Sequence, residues 1–312
     1  MAIPLKVFSG SSHPELAREI VRRLHVKQAE MILTRFACNE IYARPDQSVR
    51  GCDVFIVQTC TDRVNEDLME LFIMLDSLKR SFAQTVHVVL PHYGYARQDR
   101  VACPREPISA KLVADLLSSA GADHVITMNL HSDQEQGFFD FPVDNLNASK
   151  LFVDYFKRKK LQGLTVVAPD TGAAKSAKKF ADLLGADLAI LNKVRPAHNV
   201  SLITQVVGNV EGKTCLIYDD MIDTAGTVIA GHEALLKAGA NPDVYLAATH
   251  AVFSPPAIDR LKAAKFKEVV VTNSIPVGPD KFFEGLHVLS VAELLAKTIL
   301  NVHESKSVSG VY

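Results

Sequence analysis

The 312-residue sequence has almost no net charge: 34 Lys and Arg stand against 35 Asp and Glu, leaving −1 with histidine neutral. A chain so balanced has no overall pull toward nucleic acid or a membrane surface, so any anion it binds must be met by a local cluster of donors. No apolar run is long enough to span a bilayer. The start, Met1-Ala2-Ile3-Pro4-Leu5-Lys6, lacks the basic region followed by a long apolar one that marks a signal peptide. Cysteine is sparse: Cys38, Cys52, Cys60, Cys103 and Cys215 are odd in number and no two have CxxC spacing. That speaks against a zinc or redox motif and for reduced thiols in a cytosolic protein. A P-loop is missing as well. Gly212-Lys213-Thr214 has Val207 where the motif needs glycine, and its Lys leads into a strand instead of a helix. With 48% hydrophobic and 22% charged residues the chain can bury a sizeable core. The expected class is a cytoplasmic metabolic enzyme or a subunit of one, with neither nucleic acid nor membrane as a partner.

Apolar runs of strand length alternate with helical patterns. Val54–Val57 reads as a buried strand, and Leu68, Leu71, Phe72, Leu75 and Leu78 then recur at three- and four-residue steps along one helix face. Val86–Leu90 is the next strand, Ile108–Ser119 a helix closed by Gly121, and Val125–Met128 a strand. In the second half, strands are expected at Leu164–Ala168, Leu188–Leu191, Thr214–Tyr218, Val244–Ala248 and Val269–Thr272, with helices near Thr171–Leu184, Thr227–Lys237, Pro256–Ala264 and Val291–Val302. The alternation predicts an α/β protein with parallel sheets covered on both faces. The halves resemble each other, although any two βαβ units look partly alike. Pro142–Asn147 reads as a polar link, which puts a boundary near Ala148.

Four segments carry chemistry. In Leu216-Ile217-Tyr218-Asp219-Asp220-Met221-Ile222-Asp223-Thr224-Ala225-Gly226-Thr227 an apolar strand meets two acids, then a loop of small residues, then a helix. Ligands of open α/β sheets bind at the carboxyl ends of strands. Small residues let the backbone approach an anion, and a helix N-terminus offers free N–H groups. The segment fits a phosphate cradle in which Asp219 and Asp220 accept from sugar hydroxyls; a helix cap with a solvated acidic loop is the plainer possibility. His92-Tyr93-Gly94-Tyr95-Ala96-Arg97-Gln98-Asp99-Arg100 offers an Arg fork for phosphate and a Gln amide for a base edge, or is simply a solvated loop. His131, in Asn129-Leu130-His131-Ser132-Asp133, follows a strand near several carboxylates, as a metal ligand or a structural histidine; Asp170 also ends a strand. Asn192-Lys193-Val194-Arg195 is an exposed basic turn, or a mobile arm whose cations neutralise a transferring phosphoryl group.

Together these segments resemble the ribose-phosphate diphosphokinases of bacteria and animals. The resemblance runs from Phe8-Ser9-Gly10-Ser11 through Tyr95-Ala96-Arg97-Gln98-Asp99 and Gly137-Phe138-Phe139-Asp140 to Glu304-Ser305-Lys306-Ser307. It implies two similar domains of the type I phosphoribosyltransferase kind, expected at 1–148 and 149–312. It also implies an Mg²⁺-dependent attack of the anomeric hydroxyl of ribose 5-phosphate on the β-phosphorus of ATP. Carried over by motif, Lys193 and Arg195 match the catalytic cations and His131 and Asp170 the metal positions. Asp219 and Asp220 match the sugar-binding acids, with Asp223, Thr224, Ala225, Gly226 and Thr227 as the 5-phosphate loop. Phe36, Cys38, Asn39, Glu40, Arg97, Gln98 and Asp99 match nucleotide contacts. The family resemblance further implies a homo-hexamer and a phosphate/ADP regulatory site, to which Ser48, Arg50, Ser81, Ser307 and Ser309 are matched.

The chain departs from the family pattern in several places. Cys38 removes a polar side chain from the early nucleotide segment, and Asn129 replaces a usual Asp. Asn192 and Val194 flank the cations atypically, and the segment after Arg100 is less basic. Ala225 stands where many members have Gly, which a negative φ would allow. A catalytically silent regulatory paralogue is the main competing expectation, and a phosphoribosyltransferase that consumes the diphosphate is a second.

Overall fold

The structure is a computed structural model that describes residues 3–197 and 200–311, side chains between 193 and 204 excepted. By its contacts the chain forms two compact units: Met1–Asn147 with Ser274–Pro276 and Ser290–Tyr312, and Ala148–Asn273 with Val277–Leu289.

The first unit opens with β1 (Leu5–Ser9) and α1 (Pro14–Leu24). His13 caps α1, accepting from the Leu16 N–H, and Pro14 enters the helix where its missing N–H costs nothing. A hairpin follows, β2 (Met31–Arg35) and β3 (Ile41–Pro45), then β4 (Asp53–Val57), α2 (Val64–Arg80), β5 (Thr85–Leu90), α3 (Ser109–Ala120), β6 (His124–Met128) and β7 (Val143–Leu146). The five-stranded sheet runs β1-β4-β5-β6-β7, parallel throughout. Every residue of β4 and β6 is buried, the mark of a sheet covered on both faces. The periodic face of α2 is in the core, with Leu68, Leu71, Leu75 and Leu78 buried and Phe72 half-buried. The segment expected as a polar link, Pro142–Asn147, contains the edge strand β7. Val143 and Leu146 join the sheet, and Asp144 pairs with His124 across the ladder at 3.2 Å.

The second unit contains α4 (Ser149–Lys159), β8 (Leu164–Ala168), α5 (Ala174–Leu184), β9 (Asp187–Ala197), β10 (Val200–Val207), β11 (Thr214–Ile222), α6 (Gly226–Lys237), β12 (Tyr245–Ala251), α7 (Ala257–Ala264), β13 (Glu268–Thr272) and β14 (Leu286–Leu289). Its seven-stranded sheet is ordered β10-β9-β8-β11-β12-β13-β14 and is parallel except for the β9–β10 hairpin. The order reverses at β8: the chain continues outward to β9 on one side and returns to lay β11 on the other. Such a reversal opens a crevice between the loops that follow the two strands. The sheet of the first unit runs in chain order and has no reversal.

The final helix, α8 (Ala292–His303), belongs to the first unit, whereas the expected boundaries put it in the second. It buries Ala292, Leu294, Leu295, Ala296 and Ile299, and a set of polar ties joins the end segment to that unit. Ser290 Oγ donates to Glu19 at 2.6 Å, Arg23 pairs with Glu293 at 3.5 Å, and His303 Nδ1 lies 2.7 Å from Asp53 Oδ2. Asp53 also receives the Thr85 hydroxyl and, at 2.8 Å, His87 Nε2. Burial alone would raise the Asp53 pKa, but the hydrogen bonds from His87, Thr85 and His303 outweigh it and lower it to about 2. The folded pKa lies below the unfolded one, so this stabilisation is present above about pH 4 and lost as pH falls toward 2. Asp53→Asn is expected to cost about 2 kcal/mol at pH 7. In urea titrations its deficit against wild type should shrink between pH 4 and 2; a deficit that stays constant would show that the carboxylate charge is not what the cluster uses.

Candidate functional site

The acids of the main motif sit on a strand, not in a loop. β11 continues four residues past the expected Tyr218, because its ladder with β12 persists: Asp219 faces Ala248, and Met221 and Ile222 face His250 and Ala251. The strand is buried through Tyr218, whose ring stacks on Phe180 at 4.1 Å and whose hydroxyl shares a 2.8 Å hydrogen bond with Ser149. Burial pushes that phenol up to about 12. Asp219, Asp220 and Met221 then emerge half-buried. The Asp220 N–H donates to Asp219 Oδ1 at 2.9 Å. Desolvation, with Asp220 and then Asp170 adding negative charge, holds the Asp219 carboxyl well above the usual carboxylate range.

Asp170, after β8, stands across the reversal from the end of β11. One of its oxygens accepts the Ala173 N–H at 3.1 Å and so shapes the entry to α5. Three carboxylates thus stand at two neighbouring strand ends, near enough for Asp220 and Asp170 to act on Asp219 electrostatically. Among the described residues no three His, Cys, Asp or Glu side chains form a metal cluster by themselves. That arrangement is compatible with Mg²⁺, which commonly takes one or two carboxylates and fills its remaining positions with water and substrate phosphate.

Beyond β11, Thr224 and Gly226 are exposed and Ala225 is buried. Ala225 has φ 61° and ψ 2°, so the negative φ that would allow its methyl without strain is not met. The left-handed conformation costs a residue with a Cβ about 1–2 kcal/mol. What it provides is a turn from left-handed to helical backbone, the geometry of an anion-binding nest, at the start of α6. No acidic residue lies in the first turn of α6 to compete for its N–H groups.

The remaining expected residues fall in several places. Phe36, Cys38, Asn39 and Glu40 form the tip between β2 and β3. Phe36 is exposed and edge-on to Tyr42, and Asn39, at φ 72°, is gripped by Arg35 through its side chain and carbonyl. Asn39 thus shapes the turn through its two oxygens and keeps its side-chain NH2 for other partners. Arg97 and Gln98 are exposed, and Gln98 accepts the Ser109 hydroxyl at 2.6 Å, while Asp99 is half-buried. His131 is exposed ahead of a 3₁₀ turn. Arg50 lies over the Phe82 ring at 4.6 Å, beside Ser81 and close to Ser48; Ser307 and Ser309 form a separate turn after α8. Lys193 and Arg195 lie not in a loop but in β9, which pairs with β10, Lys193 opposite Ile203. Their side chains are outside the described residues.

Two family models match the sequence: the N-terminal domain of ribose phosphate pyrophosphokinase over residues 5–121, and the phosphoribosyl synthetase-associated domain over residues 190–312. A ribose-phosphate pyrophosphokinase of Bacillus subtilis is 48% identical over 99% of this chain and 97% of its own length. One of Synechococcus elongatus is 49% identical over 99% of this chain and 93% of its own. The crystal structure of phosphoribosylpyrophosphate synthetase from Mycobacterium smegmatis superposes with a TM-score of 0.91 at 46% identity, covering 97% of this chain and 99% of that one.

Proposed function

The chain belongs to the ribose-phosphate pyrophosphokinase family, and we propose that its second unit binds ribose 5-phosphate in the crevice between the ends of β8 and β11. It is an enzyme that moves the β,γ-diphosphoryl group of ATP to the anomeric hydroxyl of ribose 5-phosphate. The new bond joins that oxygen to the β-phosphorus, the bond from the β-phosphorus to the α-phosphate oxygen breaks, and AMP leaves. The observation that carries the site is the course of β11: buried strand, paired acids, left-handed turn and helix N-terminus, at the reversal of strand order.

Asp219 and Asp220 accept hydrogen bonds from the sugar hydroxyls, and residues 223–227 hold the 5-phosphate through backbone N–H groups and the hydroxyls of Thr224 and Thr227. The raised pKa of Asp219 fits this role, since a hydroxyl donor or a cation relieves a crowded carboxylate. Phe36, Cys38, Asn39, Glu40, Arg97, Gln98 and Asp99 contact ATP, with the exposed Phe36 ring as an apolar platform for the base. Asp170 and His131 are each candidates to hold Mg²⁺, which would neutralise the diphosphate oxygens. Lys193 and Arg195 stabilise the charge that builds on the transferring group. The proposal extends to a homo-hexamer in the cytoplasm, regulated by phosphate or ADP at Ser48, Arg50, Ser81, Ser307 and Ser309. No helix among the described residues is long and apolar enough to cross a membrane.

Nucleotide analysis after mixing protein, Mg²⁺, ATP and ribose 5-phosphate tests the reaction. AMP released only when the sugar phosphate is present is the expected result. Accumulation of ADP would mean simple phosphoryl transfer and overturn the mechanism, and bound ATP without turnover would mark a silent paralogue.

A further inference from the structure

Arg260, on the first turns of α7, is exposed and has no carboxylate partner among the described residues. Among the described residues the one hydrogen bond of its guanidinium runs from Nη1 to the carbonyl oxygen of Thr224 at 2.9 Å, across 36 positions of sequence. A Cβ built on Gly226 would lie 3.5 Å from the same nitrogen. A guanidinium is thus spent on one backbone carbonyl, at the peptide that enters the left-handed residue of the loop.

We propose that Arg260 is a positioning residue for the 5-phosphate of the substrate, acting through the Thr224–Ala225 peptide. The inference rests on the reading of residues 223–227 as the 5-phosphate loop. A trans peptide is planar, with its C=O and N–H directed oppositely, so a carbonyl held from outside fixes the direction of the next N–H. Ala225 is left-handed and Gly226 helical; such a pair aims the N–H groups of Ala225, Gly226 and Thr227 into one nest, and peptide planarity directs the Thr224 carbonyl opposite to the Ala225 N–H. Arg260 holds that carbonyl and opposes relaxation of Ala225, which, unlike glycine, takes this conformation at a cost. The arginine offsets a strain that the loop needs in order to aim its donors.

The test is steady-state kinetics of the full chain with ATP and Mg²⁺, comparing wild type, Arg260→Gln, Ala225→Gly, the double variant and Thr227→Ala. Arg260→Gln is expected to raise KM for ribose 5-phosphate about tenfold, the equivalent of one hydrogen bond, while KM for ATP and Tm stay near wild type. In the Ala225→Gly background the added penalty of Arg260→Gln should shrink, because glycine holds the turn without strain. Arg260→Lys serves the same comparison if the Gln variant does not fold. An unchanged KM in Arg260→Gln beside a raised KM in Thr227→Ala would overturn the role of Arg260 and leave the loop intact. No effect in either would overturn the loop reading itself. A penalty of equal size in both backgrounds would mean that Arg260 does not act through the strained peptide.

Discussion

Lys193→Ala is expected to lower kcat by about 10²–10³-fold, the scale of one lost transition-state donor, while KM for ribose 5-phosphate and for ATP stays nearly unchanged. Transfer of a diphosphoryl group spreads charge over the equatorial oxygens of the β-phosphorus, and there is little covalent chemistry for the protein to perform. A cation that meets this charge only as it builds contributes to kcat and not to ground-state binding. Lys193 and Arg195 are separated by one residue on β9, and the chain is otherwise so balanced in charge that the substrate anions must be met locally. Arg195→Lys should also fall well below wild type, since an ammonium does not reproduce a planar fork on phosphate. Kinetics of AMP release read both effects. A Lys193→Ala enzyme with near-normal kcat would remove that residue from the transition state, and a rise confined to KM would make it a binding residue.

The sequence disclosed the parts of the fold that depend on local periodicity. The α2 face from Leu68 to Leu78 and the buried β5 and β6 were legible because apolar side chains recur at the spacing their element needs. It did not disclose elements held by pairing. Asp219 and Asp220 look like a loop because they are acids, yet the β12 ladder keeps them on a strand. The cations at 193 and 195 look like a turn because they are polar, yet β10 runs beside them. The packing of α8 with the first unit depends on Asp53 meeting a histidine 250 positions away, and no periodicity encodes such a distance. Within the candidate site, residue types suggested a cradle and paired acids, but the left-handed backbone of Ala225 and the Arg260 tie to the Thr224 carbonyl before it are facts of three-dimensional geometry.

Asp219→Asn should separate stability from function. In the protein without Mg²⁺ or substrates, Asp219 is a crowded carboxylate: desolvated first, then repelled by Asp220 and Asp170. Its pKa is raised on folding, so between the ordinary carboxylate value and the raised one the folded state holds the extra proton. Stability therefore falls as pH rises through that window, because the unfolded chain has already released the proton. The amide has no proton to lose and adds no charge, so Asp219→Asn should unfold a few degrees above wild type at pH 7, with the difference vanishing below about pH 4. Activity should move the other way. The loss of one charged hydrogen-bond acceptor for a sugar hydroxyl costs about 1.5–3 kcal/mol, or about 10- to 150-fold in kcat/KM for ribose 5-phosphate. Thermal melts across pH, beside kinetics of the same variant, read both sides. A variant less stable than wild type at pH 7 would mean that the carboxylate is compensated inside the apo fold, and the crevice would then not be arranged to await a cation or a sugar. A variant more stable but fully active would leave the strain real and take Asp219 out of the sugar site. The expected pairing, a gain in melting temperature with a loss of turnover, is what a site pays when its acids are placed for a ligand instead of for the fold.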